Sequence, residues 1–262
     1  AAGSSPAAIP PTRPPDFVPP GRPDLRSPRS RLSLGLGGGP GERRVRGAGA
    51  RGAMTGLWVL RHGRSRANAA GVVCSERAAC AGLAPEGRVQ ARAAGERLLR
   101  ELGELIGPGG GGSVPALLLA SPFARAQETA VEVMLELQAN GVPADVETEP
   151  ALAERWFGEL EAGPDSVYES VWEGDSLDPT AAAHGVESVE SVAARVRSVL
   201  EGPRLASALA AGRPCVLVAH GDALSVLCAV HAASGLQRHR EHGLPPAGLR
   251  RLLPPPSDSK LP

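Results

Sequence analysis

Three polar segments each follow directly on an apolar run. Arg61-His62-Gly63 follows LWVL, Ser121-Pro122 and then Arg125 follow ALLLA, and His220-Gly221 follows CVLVA. Two imidazoles and two guanidiniums are the side chains that suit a phosphoryl group. Arginine presents a fixed fork of donors that matches phosphate oxygens. Imidazole titrates near neutrality, so a neutral ring can act as a nucleophile at ordinary pH. Gly63 and Gly221 are expected to let backbone approach the ligand closely.

These residues act together only if the fold gathers them. Runs such as ALLLA and CVLVA read as strands buried on both faces, the mark of a parallel sheet covered by helices. Helical spacing follows them. Pro85 suits a first helical turn, and Val89, Ala93, Leu98, Leu99 and Leu102 predict a buried stripe over about 85–105. Further helices are predicted over about 123–138, 187–200 and 222–233, with a short strand over 142–148. The expected fold is α/β, a three-layer αβα sandwich with a mostly parallel central sheet. In such sheets the ligand crevice lies beyond the carboxyl ends of the strands. Arg61, His62, Arg125 and His220 would meet there, and a helix starting after His62 would add backbone donors.

Composition bounds the rest. The chain has 262 residues with formal net charge zero, and 42% of its residues are hydrophobic but only 3% aromatic. The core must therefore be built from Ala, Val and Leu. Residues 1–53 hold nine arginines against Asp16, Asp24 and Glu42, and lack apolar periodicity. They are expected to be a disordered tail, as are 254–262, flanking one domain over 54–253. Met54 leaves two readings of the tail. Either it is the natural start of a cytoplasmic protein, or the arginine-rich segment is a transit sequence for chloroplast or mitochondrion. The mildly acidic domain lacks the basic footprint of a nucleic-acid partner, and the apolar runs are too short for a membrane span. Cys74, Cys80, Cys215 and Cys228 form no CxxC pair and demand no oxidising compartment, and Cys215 and Cys228 read as buried small hydrophobes. Residues 150–186 read as a long irregular insertion, and Gly109–Gly112 as a flexible loop. His184, His231, His239 and His242 have no partner pattern and are assigned to surface or loop.

The ordered motifs LWVLRHGRSRAN (57–68), LAPEGRVQA (83–91), LLLASPFARAQETA (117–130), LAERWFGELE (152–161), GVESVESVAARV (185–196) and VLVAHGDAL (216–224) resemble those of the histidine phosphatase superfamily, also called phosphoglycerate mutase-like. The likeness is greatest to plant and algal members of unassigned substrate. It implies that His62 is the nucleophile, that Arg61, Asn68, Arg125 and His220 grip the phosphoryl oxygens, and that Glu154 is the proton donor. Glu159 and Glu161 are its nearest substitutes. It implies no cofactor and no metal, because Arg61, Arg125 and a protonated His220 would supply the positive charge. The substrate would be a small phosphorylated metabolite or a phosphoprotein.

The insertion is expected to set specificity, with Trp156, Phe157, Tyr168 and Trp172 as candidate walls. A mutase is the main alternative. Members with that activity carry Trp-Arg-Arg in the insertion, where this chain has Trp172, Glu173, Gly174 and Asp175. Acidic residues there would repel a second anionic group. A catalytically weak binding module on the same fold is the other alternative. The stretch from His231 to Arg250 is short and Pro-rich, which predicts a missing edge strand or rim.

Overall fold

The computed structural model describes residues 56–106 and 114–252. The expectations for the two tails and for Gly109–Gly112 lie outside them. In chain order the elements are β1 (Leu57–Arg61), α1 (Arg66–Ala70), α2 (Pro85–Ile106), β2 (Ala116–Ala120), α3 (Ala124–Ala139), β3 (Ala144–Thr148), α4 (Val167–Leu177), α5 (Val189–Leu200), α6 (Pro203–Ala210), β4 (Cys215–Ala219), α7 (Gly221–Ala232) and β5 (Leu249–Leu252).

The sheet order is β3-β2-β4-β1-β5. The first four strands are parallel, and β5 pairs antiparallel to β1. The expected missing edge is therefore present: LRRL closes that side of the sheet. Alternation within each strand serves both faces at once. Val59, Leu117, Leu119, Cys215 and Leu217 face α5, α6 and α7. Trp58, Leu60, Leu118, Val216 and Val218 face α2 and α3. Both faces are dry, which is why these strands read as unbroken apolar runs.

On α2 the buried stripe runs through Ala91, Ala94, Leu98 and Leu102, whereas Val89 is 65% exposed. Ala91 takes the position that Val89 was expected to hold, and small residues there allow close packing against α3. The insertion is more regular than expected. It contains α4, whose Val167, Tyr168 and Val171 pack with Val73, Phe157 and Val186 in a small satellite core.

Register decides where the chemistry lies. Arg61 pairs with Ala219, and Ala120 with Val218. The residues after β1, β2 and β4 therefore emerge side by side at one sheet edge, with β4 in the middle. The chain passes from β1 to β2 across the position of β4, and this switch opens the crevice. Among the described residues, no helix is long and apolar enough to cross a membrane.

Candidate active site

His62 follows β1 and is 2% exposed. Its Nδ1 lies 2.7 Å from the Gly63 carbonyl oxygen. A carbonyl only accepts, so Nδ1 carries the proton and Nε2 presents a lone pair. Burial, then Arg125, then Arg61 hold the ring well below the ordinary histidine range. His62 is thus neutral, and its unprotonated Nε2 accepts a hydrogen bond from Arg125.

Arg125 lies in the first turn of α3 and joins the two histidines. Its Nε donates to His62 Nε2 and to His220 Nδ1, each at 3.1 Å. Its Nη2 donates to the Cys74 carbonyl at 3.0 Å, and the guanidinium stacks on Phe123 at 4.7 Å. His220 is fully buried. Because Arg125 donates to its Nδ1, its Nε2 carries the proton and donates to Ser121 Oγ at 2.7 Å. Burial, then Arg125, hold His220 well below its ordinary value. The expected imidazolium is a neutral ring here, because the ring is buried and Arg125 already brings a positive charge to it. The rings of His62 and His220 meet edge to face at 5.1 Å.

Arg61 donates through Nη1 to the Leu244 carbonyl at 2.7 Å. Its Nε and the Nη1 of Arg125 are buried and have no hydrogen-bond partner. Buried donors are rarely left unmade, because each costs about 1–3 kcal/mol. Both side chains line one pocket with His62, where such donors can meet anionic oxygens.

Glu154 lies on the segment after β3. Its Oε2 is 3.7 Å from Arg125 Nη2 and 3.6 Å from His220 Nδ1. Burial is the main cause that pushes its carboxyl up to about 7; Asp222 adds to this, while Arg125 and Arg61 oppose it. A carboxyl that titrates near neutrality can both give and take a proton there. The substitutes stand elsewhere. Glu159 is exposed beside His184, and Glu161 accepts from the Ser75 and Glu76 backbone.

One open pocket is lined by Arg61, His62, Asn68, Arg125 and Glu154, together with Phe157, Tyr168 and Trp172. Trp156 is 43% exposed and lies away from that lining. Asn68 lines the pocket, but its Oδ1 accepts from Ser65 N and Oγ, capping α1. Helix α1 begins at Arg66 rather than directly after His62. Gly63 is required for another reason than ligand approach: a Cβ there would lie 2.3 Å from the Gly87 carbonyl oxygen of α2. At Gly221 the close neighbour is the Arg61 guanidinium, 3.2 Å from such a Cβ.

Several side chains carried no legible signal. Arg155 is 1% exposed and clasps Asp175 through two bonds of 2.6 and 2.7 Å. His239, assigned to the surface, is fully buried between Asp175 and Ser225. Asp175 is thereby neutralised inside the protein, and Glu173 lies on an outer surface depression. Neither Glu173 nor Asp175 of the acidic stretch after Trp172 lines the pocket that holds His62. Arg240 lines the pocket, stacked 3.5 Å over Trp172. Cys74 and Cys80 are joined in a disulfide beside the pocket, whereas Cys215 and Cys228 are free and buried as expected. Among the described residues, Cys74, Cys80 and Glu161 lie close enough to share an ion, but the disulfide commits both sulfurs.

No curated protein matches the chain, but solved structures do. A mycobacterial hydrolase is 26% identical with a TM-score of 0.59, over 75% of this chain and 88% of that one. A second mycobacterial hydrolase is 28% identical, with a TM-score of 0.55 over 75% and 81%. A mycobacterial glucosyl-3-phosphoglycerate phosphatase in complex with VO3 is 26% identical, with a TM-score of 0.55 over 75% and 92%. The model of the histidine phosphatase superfamily, branch 1, matches residues 57–260. The pocket at the switch point, the motifs that build it and this match agree: the chain belongs to branch 1 of the histidine phosphatase superfamily.

Proposed function

We propose that the protein is a metal-independent phosphomonoesterase working through a phosphohistidine at Nε2 of His62. The observation that carries this is the pair of partnerless buried donors, Arg61 Nε and Arg125 Nη1, on side chains that line one pocket with His62. They supply fixed positive charge where the transferring group carries its negative charge, so catalysis is positioning and electrostatics.

In the first step the His62 Nε2 lone pair forms a bond to phosphorus as the ester P–O bond breaks. The Glu154 carboxyl gives its proton to the departing oxygen. In the second step the Glu154 carboxylate takes a proton from water. The resulting hydroxide attacks phosphorus, the P–N bond breaks, and inorganic phosphate leaves.

The test is a phosphomonoester panel with EDTA present, comparing wild type with His62→Ala. Activity should survive chelation and vanish in the variant, and an acid-labile phosphoenzyme should be trapped on rapid quenching of the wild type only. Turnover that persists in His62→Ala overturns the reading. The mutase alternative draws on Arg240, a further cation on the pocket wall. Tracing 2,3-bisphosphoglycerate-dependent interconversion of phosphoglycerates separates it from hydrolysis.

A further inference from the structure

Asp222 opens α7 two residues beyond His220 and is 4% exposed. Its carboxylate is a hub for three separate segments. It accepts from Trp172 Nε1 of α4 at 3.1 and 3.2 Å, from Arg240 Nη1 at 3.0 Å, and from Arg155 Nη1 at 3.4 Å. Arg240 in turn lies flat on the Trp172 ring, and Tyr168 stacks on Trp172 at 5.4 Å. Asp222, Trp172, Tyr168 and Arg240 all line the pocket that holds Glu154.

We propose that Asp222 is a positioning residue for the leaving-group step: it ties Trp172, Arg240 and Arg155 into one wall and sets a negative charge in the pocket of Glu154. The inference rests on the phosphatase reading. The groups that face Glu154 are Arg61 from β1, Arg125 from α3, Tyr168 from α4, His220 after β4, Asp222 from α7, and Arg240. Among them Asp222 is the acid that favours the protonated carboxyl, and Arg61 and Arg125 favour the carboxylate. Arg240 is paired with Asp222 and interacts attractively with Glu154, so it too favours the carboxylate. Asp222 and Arg240 therefore act on Glu154 with opposite signs, although they bond to each other.

This sign difference gives a readout that a scaffold role would not move. The measurement is the pH profile of kcat/KM on a simple alkyl phosphate, whose leaving group needs a proton, with p-nitrophenyl phosphate in parallel. Asp222→Asn keeps size and an acceptor oxygen but removes the charge. The limb assigned to Glu154 should move down, and the alkyl ester should lose more activity at neutral pH than the nitrophenyl ester. Arg240→Gln, at a less buried position, should move the limb up. If Asp222→Asn does not fold, Asp222→Ser, which also removes the charge, is read in the same way. A limb unmoved in each variant that folds overturns it. His62-dependent turnover with an unmoved limb sinks this inference alone, whereas turnover that survives His62→Ala sinks the phosphatase reading with it.

Discussion

Nε of Arg125 donates to Nε2 of His62 at 3.1 Å. The cation expected to hold the phosphoryl group is thus already in contact with the atom expected to attack it. The same N–H reaches His220 at an equal distance, so one guanidinium sets the spacing of both rings. Arg125 is held by the Cys74 carbonyl and the Phe123 face.

Arg125→Lys should lose most of the activity. Lysine keeps the charge but cannot reach two rings and a carbonyl in one plane. The expected fall in kcat/KM is about 100-fold or more, with vanadate inhibition weakened in parallel. A variant within threefold of wild type would show that the fork geometry is not used.

Glu154→Gln should discriminate between leaving groups. The amide cannot give a proton, so alkyl phosphate turnover should fall by about 100-fold while an activated nitrophenyl ester loses less. The wild-type kcat/KM profile should bend near pH 7, where Glu154 titrates, and the bend should vanish in the variant. Equal losses on both esters would point to another proton donor.

Stability should fall on mild acidification. His62 and His220 are held neutral in the fold, with values well below 6.5. Below that pH the unfolded rings bind protons that the folded rings refuse. Stability is then full above 6.5 and declines as pH falls, by about 1.4 kcal/mol per ring per pH unit. Glu154 has the opposite sign: its raised carboxyl binds a proton in the fold between its ordinary value and about 7, so its contribution grows on acidification. Two rings outweigh one carboxyl, so the urea midpoint at pH 5.5 should lie below that at pH 7.5. A midpoint unchanged between the two would show that the rings protonate in place.

Opening the Cys74–Cys80 bond should weaken substrate binding. The loop it closes carries the carbonyl that holds Arg125. Closing a loop of this length contributes about 2 kcal/mol by chain entropy. Cys74→Ser with Cys80→Ser, or treatment with a dithiol reductant, should lower Tm and raise KM several-fold with kcat less affected. An unchanged KM would show that Arg125 is held well enough by its other contacts.

The strand-helix alternation, the parallel sheet and the convergence of Arg61, His62, Arg125 and His220 were all readable from local pattern. Apolar runs ending in charged residues are a one-dimensional signal, because a strand buried on both faces cannot hide its composition. The tertiary structure alone decided what depends on partners distant in the chain. His239 looked like surface because nothing near it in sequence is its partner; Asp175 and Ser225 reach it only after folding. Nothing in the acidic stretch after Trp172 signalled that Asp175 pairs with Arg155. Gly63 looked like a ligand contact, and the fold shows it pressed against α2. Charge state followed the same division: residue types are local, but the neutrality of His220 and the raised carboxyl of Glu154 come from burial, a property of the assembled core.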